Sequence, residues 1–170
     1  IIQDSTYRHQ HYLAFLDHES SEAQFYVRCQ SNKSEDRILA WQCLIDLCAT
    51  NRQGVDALFA RINRLNNEQD PVRYSALHSL VRMPISLYKE THLSPLTALI
   101  DAVMNARDTP YATRRCIQKL AHRFICAFAR TPDSPFFAFS LQCLQKLAGQ
   151  AGVLDFPRLD RLLPKGTEHS

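Results

Sequence analysis

The chain reads as an all-α protein, an α–α superhelix of about seven to nine helices with irregular repeats. Three observations lead there. Asp70-Pro71-Val72-Arg73-Tyr74-Ser75-Ala76-Leu77-His78-Ser79-Leu80 has the form of a helix start, with a capping Asp, Pro at the first helical position, and Arg73, Ala76 and Leu80 at helical spacing. The same Arg-x-x-Ala-x-x-x-Leu spacing occurs as Arg37, Ala40 and Leu44, 36 residues upstream. No stretch alternates cleanly between apolar and polar over six residues, the pattern of a half-buried strand.

The elements follow in order. Residues 1–33 form a polar, His-containing segment, with a short helix expected over Tyr7–Leu16 and another over Glu22–Cys29. Asn32 to Glu35 is a turn, and Ser34 is the expected N-cap of a helix from Glu35 to Thr50. Its apolar set (Ile38, Leu39, Trp41, Leu44, Ile45, Leu47 and Cys48) wraps most of the circumference, so this helix is expected to lie between neighbours. Val55, Leu58, Phe59, Ile62 and Leu65 form one apolar stripe. Asn66 to Asp70 is a turn, and the partner helix ends near Met83-Pro84. Two such helices cannot bury their apolar faces alone, so other pairs must stack on them.

Leu93 to Met104 repeats the first-helix pattern, Asn105 to Pro110 the turn, and a longer helix runs from Tyr111 to Arg130. Thr131-Pro132-Asp133-Ser134-Pro135 stops one helix and starts the next, Phe136 to Leu147, which is expected to bury Phe137, Leu141, Leu144 and Leu147. A tail from Gly149 offers Leu154 to Leu159 as a cap and is expected to fray over Lys165–Ser170. The whole of residues 1–170 is expected to be one helical-repeat domain, with repeat-like residues 34–148 and a cap or tail over 149–170. The chain opens on Ile1-Ile2 without Met, and it is expected to be a piece of a larger protein.

Composition bounds the function. Apolar residues make up 45% and charged residues 22%, ordinary for a globular protein. Only four Gly are present, which argues against phosphate-cradling loops and tight β-hairpins. A net charge of +3 implies nucleic-acid binding only where cations cluster. The six Cys (29, 43, 48, 116, 126 and 143) have no C-x-x-C spacing and are read as buried free thiols of a reducing, intracellular compartment, because a chain this long builds a core without disulfides. The pairs Cys43/Cys48 and Cys116/Cys126 are likewise read as inert core thiols, not redox pairs. Asn32-Lys33-Ser34 fits a glycosylation acceptor and is read as a chance match. No apolar run is long enough to span a membrane.

At Asp70–Val81 the chain resembles the second helix of a HEAT repeat, whose pattern is Asp-Pro, then Val-Arg, a small residue and Leu. The likeness is partial over Ser34–Leu47, where Asp36-Arg37-Ile38 stands in place of Pro-Val-Arg. It is weak over Asp108–Ala121, where Cys116 and Leu120 take the small-residue and Leu positions 40 residues after the central copy. The resemblance covers residues 34–148. It implies a curved HEAT/armadillo-like stack serving as scaffold or binding surface, and it marks Arg37, Asp70, Pro71 and Arg73 as structural repeat positions, with Asp70 and Arg73 linking adjacent turns.

The candidate functional surface lies on the third copy. At 100° per residue, Arg115, Lys119, His122, Arg123 and Arg130 share one helix face, opposite Cys116, Ile117, Leu120, Phe124, Ala127 and Phe128. From Thr109 to Pro132 there are five Lys/Arg and no acid. One reading is an electrostatic surface for a partner, extended by Arg61, Arg64, Arg73 and Arg82; the other is a plain solvated helix face. His9, His11 and His18 lack further donors at ligand spacing and are read as exposed histidines, not a metal site. No Gly-x-Ser-x-Gly elbow is present.

The first expectation is a non-enzymatic scaffold or protein-interaction module with a protein partner. A nucleic-acid-binding helical-repeat module using the basic face is the alternative. A HEAT-like DNA glycosylase comes third; it needs an acid and aromatics at the mouth of a cationic groove, and Trp41 is read as core instead. No cofactor, metal, membrane or small-molecule substrate is implied.

Overall fold

The computed structural model describes residues 17–106 and 109–151. Among them all regular structure is helical, in seven α-helices and three short 3₁₀ segments. The expected Tyr7–Leu16 helix, the Leu154–Leu159 cap and Asp108 of the third copy lie outside the described residues. No helix among the described residues is long and apolar enough to cross a membrane.

Helix α1 (His18–Arg28) starts where the Asp17 carboxylate accepts the Ser20 N–H at 2.9 Å. Helix α2 (Ser34–Asn51) has Lys33 at its cap position, so Ser34 is the first helical residue and not the cap expected from sequence. The helix stops because Arg52 turns left-handed (φ 57°), and Gly54 is left-handed again (φ 69°) before α3 (Val55–Arg61). Gly54 serves here for two reasons: its backbone disfavours a side chain, and a Cβ would sit 2.5 Å from His18 Nε2.

Helix α3 tightens into a 3₁₀ segment, η1 (Ile62–Asn67), and after a two-residue turn α4 (Asp70–Arg82) begins. Here too the expected cap is displaced: Gln69 occupies the cap position, and Asp70 is the first helical residue, followed by Pro71. Met83 ends α4 in extended geometry (ψ 137°), as a residue preceding Pro must. Two 3₁₀ turns, η2 (Ile85–Leu87) and η3 (Glu90–His92), lead to α5 (Leu93–Met104). Helix α6 (Tyr111–Phe128) ends two residues short of the expected Arg130. Helix α7 (Pro135–Ala151) opens with Pro, and the Ser134 hydroxyl accepts the Phe136 N–H at 3.3 Å.

The helices sort into two rows. In one, α2 packs on α4 and α4 on α6. In the other, η1 packs on α5 and α5 on α7, while α1 lies against α2 and α7 against α6. The core between the rows contains Trp41, Leu44, Phe59, Leu77, Leu80 and Phe124, all essentially inaccessible. Phe124 is the hub of an aromatic cluster, with ring centroids 4.9 Å from Tyr88, 5.3 Å from Phe136 and 5.9 Å from Phe139. Three residues expected in the core are not there. Leu39 is 55% and Leu141 44% exposed, because each lies on the side of its helix that no neighbour covers. Ala127, expected on the buried side of α6, is also exposed.

The six cysteines are free thiols, and five are buried. Burial pushes Cys29, Cys48 and Cys143 up to about 12 and Cys43 up to about 11, so these thiols stay protonated.

Candidate interaction face

Most arginines among the described residues are used internally, and Arg73 and Arg37 show how. Arg73 reaches back to the end of η1, donating from Nε to the Leu65 carbonyl at 3.1 Å and from Nη2 to Asn66 at 2.6 Å. Arg37, its counterpart on α2, donates from Nη1 to the Ser31 carbonyl at 2.8 Å and from Nε to Glu68 at 3.0 Å. Each guanidinium satisfies carbonyls of the segment leading into its own helix, where helical partners run out. At the third copy Thr113 occupies the Arg position, and its hydroxyl donates to Asp70 Oδ1 at 2.9 Å, joining α6 to α4. Pro71 is exposed and bonds nothing through its ring; it sets the first turn of α4.

The same economy holds at the other end of these helices. Asp46 is buried on α2, and Arg82 Nη2 donates to both its oxygens, at 3.1 and 2.9 Å. Arg123 of α6 donates from Nη1 to the Met83 carbonyl at 2.9 Å and to the Val81 carbonyl, closing the C-terminus of α4. In the second row, Arg61 pairs with Glu22 and lies 4.3 Å over the Tyr26 ring. Of the four arginines expected to extend a basic patch, Arg61, Arg73 and Arg82 are therefore tied down, while Arg64 is exposed on η1.

Against this background the outer face of α6 differs. Arg115 and Lys119 are exposed, one turn apart, and no carboxylate among the described residues pairs with them. Arg115 Nη1 donates to the Tyr111 hydroxyl at 2.7 Å, with the guanidinium 5.9 Å over a ring that is 63% exposed. His122 is half-buried and its burial holds its pKa below the ordinary histidine value. Arg130 lies exposed in the turn after α6. The five residues expected as one basic face are thus divided: Arg115 and Lys119 form it, Arg123 turns inward, His122 is recessed, and Arg130 falls beyond the helix.

Helix α4 completes the face with residues that the sequence reading did not single out. The Tyr74 and His78 rings stack at 5.9 Å, and His78 Nδ1 accepts from Arg82 Nη1 at 2.9 Å. Arg82 donates only, so Nδ1 is the unprotonated nitrogen and Nε2 carries the hydrogen. His78 is held below its ordinary value by burial, then by the charges of Arg82 and Lys119, with Asp46 opposing. The charge of Lys119 acts on His78 across the packed α4–α6 pair, and Tyr74 and His78 on α4 and Tyr111, Arg115 and Lys119 on α6 are all exposed. The signal was present as i, i+4 pairs, Tyr74/His78 and Tyr111/Arg115, at positions the repeat pattern leaves unassigned.

A second feature lies in the other row. A cavity of about 620 Å³ is lined by Asp56, Phe59, Asn63, Lys89, His92 and neighbours. Both nitrogens of buried His92 are engaged: Nδ1 accepts the Lys89 N–H at 3.1 Å and Nε2 donates to Asp56 Oδ1 at 2.8 Å. Its ring stacks on Phe59 with centroids 4.1 Å apart. Hydrogen bonds from Lys89 and then His92 hold the Asp56 carboxyl below its usual range. A histidine so fixed clamps η3 onto α3 and has no free nitrogen with which to take a proton.

His9 and His11 lie outside the described residues, and His18, expected to be exposed, is instead largely covered and pairs with Glu22 at 3.4 Å, beside Gly54. Among the described residues no group of three or more His, Cys, Asp or Glu is placed to hold a metal ion. Comparison with protein-family models, curated proteins and solved structures found no match to the chain.

Proposed function

We propose that this protein is a HEAT-like stack of helix pairs acting as a non-enzymatic interaction or scaffold module, and that it meets its protein partner through the outer face of α4 and α6. The two rows of helices, with α2, α4 and α6 adjacent and their motifs spaced by 36 and 40 residues, support the repeat reading. The observation that carries the choice of face is the contrast in cation use. Arg37, Arg61, Arg73, Arg82 and Arg123 bond to carboxylates or carbonyls of other segments, whereas Arg115 bonds the Tyr111 hydroxyl of its own helix and neither it nor Lys119 meets a carboxylate among the described residues. Exposed aromatic and arginine side chains are enriched at protein interfaces.

The catalytic alternative draws no comparable support. Asp46, whose charge reaches this face at His78, is buried with both oxygens held by Arg82, an arrangement suited to a structural acid rather than to a base-excision acid.

The test is affinity capture of partners with the wild-type chain, with Arg115→Glu/Lys119→Glu, and with Lys33→Glu/Arg64→Glu as a control of equal charge. The expected result is partners lost only with the first variant. Partners retained by all three would overturn the choice of face. Titration with generic duplex DNA addresses the nucleic-acid alternative: no binding is expected near physiological salt, and binding that falls steeply with salt and requires Arg115 and Lys119 would favour it.

A further inference from the structure

We infer that the α4–α6 face receives an acidic peptide segment of its partner, one in which an aromatic or aliphatic anchor is flanked by Asp or Glu. The inference rests on the interaction reading above and names the chemistry of the partner.

Three exposed donors lie on the two packed helices, Arg115 and Lys119 on α6 and His78 on α4. Arg115 and Lys119 are one helical turn apart, roughly 6 Å, a spacing matched by carboxylates on adjacent turns of a helix or on alternate residues of an extended chain. Arg115 spends one N–H on the Tyr111 hydroxyl, which fixes the guanidinium plane and leaves the remaining donors of the fork. His78 contributes an Nε2–H, because its Nδ1 is committed to Arg82. Such an array suits planar, acceptor-only carboxylates.

The aromatic flanks supply the other half of the recognition. Tyr111 is 63% and Tyr74 38% exposed, and each is restrained by a neighbour on its own helix, Arg115 and His78 respectively. Restrained tyrosines offer large contact area at small entropy cost, which fits an apolar anchor better than a further charge.

The extent of the charge argues against a phosphate backbone. The exposed cationic strip on α6 is one helix wide, with Arg115 and Lys119 free of carboxylates among the described residues, whereas a duplex binder gains its affinity by neutralising many phosphates. On α2, the next helix in the row, the first turn carries Glu35, which is exposed, and Asp36.

The experiment is selection of a random dodecapeptide library on the full chain, followed by fluorescence-anisotropy titration of the enriched peptides. Enrichment of Asp and Glu around a Phe, Leu or Trp is expected. Those peptides should lose about tenfold or more in affinity against Arg115→Glu/Lys119→Glu. They should keep their affinity for Lys33→Glu/Arg64→Glu, and a charge-swapped peptide carrying Lys should recover binding to the reversed face. Selection of neutral or basic peptides that still depend on Tyr74 and Tyr111 would overturn the acidic inference while leaving the face intact. Peptides indifferent to every substitution on the face, equal loss in the control variant, or no enriched peptide would overturn the inference, and the first of these would remove the interaction face as well.

Discussion

Helices α4 and α6 stand side by side at equivalent places in the row, yet they use their cations in opposite ways. On α4, Arg73 and Arg82 are drawn into the structure, one onto the carbonyls ending η1 and the other onto buried Asp46. On α6 Thr113 stands three residues before Cys116, as Arg73 stands three before Ala76, and it links to Asp70 with a neutral hydroxyl. Only Arg123 performs an inward task there, and Arg115 and Lys119 face solvent. The difference teaches that a positive residue in such a stack is a staple where a neighbouring helix presents unpaired carbonyls or a buried acid. It is available to a partner only where neither is within reach.

The sharpest way to break this comparison is to remove a staple. Arg82→Ala leaves Asp46 buried without its partner, and the expected loss is about 2–4 kcal/mol in urea unfolding. Replacing the pair together, as Asp46→Leu/Arg82→Met, should recover most of that loss, since no buried charge is then left alone. Arg73→Ala should cost about 1–3 kcal/mol, because two carbonyls at the end of η1 lose a charged donor. If either single variant unfolded at the wild-type midpoint, the staple half of the comparison would be wrong.

Smaller effects sharpen it. Gly54→Ala places a side chain at a left-handed position and against His18, and should cost about 1 kcal/mol. Arg115→Glu/Lys119→Glu should change stability by less than about 0.5 kcal/mol, a result that a structural role for these cations would not allow.

Acidification gives the finest contrast. His78 and His122 both have pKa values depressed below the ordinary 6.5, so the unfolded chain takes up their protons first. The stability linked to them is complete above that value and is lost as pH falls below it. Asp56 is depressed from 3.8, so its contribution is lost only in more acidic solution. His78→Gln should therefore flatten the fall in Tm just below neutral pH, and an unchanged slope would contradict the neutral, Arg82-bonded histidine.

Much of the fold was legible because it rests on apolar periodicity and punctuation. The stripe Val55–Leu65, the stop at Met83-Pro84, the span Leu93–Met104 and the break at Thr131–Pro135 all correspond to observed boundaries. Caps were less legible: Ser34 and Asp70 are good capping residues that fold one position inside their helices, a choice set by the preceding turn. The exposure of Leu39 and Leu141 depends on which neighbours exist, which periodicity does not encode.

The candidate site was half legible for the same reason. A helical wheel placed Arg115, Lys119 and Arg123 together, but the C-terminal carbonyls of α4 decide that Arg123 turns inward. Tyr74 and His78 became part of the face only once α4 was seen to lie against α6. The clamp of His92 on Asp56 joins residues 36 positions apart through a connector with no periodic signal.

The most direct test of the division between stapled and available cations is a backbone amide NMR shift map, recorded as an enriched acidic peptide is titrated into the wild-type chain. The account predicts shifts concentrated at Tyr74, His78, Tyr111, Arg115 and Lys119, with Arg37, Arg61 and Arg73 unmoved. Shifts centred on the Asp56–His92 cavity, or spread evenly over all the arginines, would contradict it.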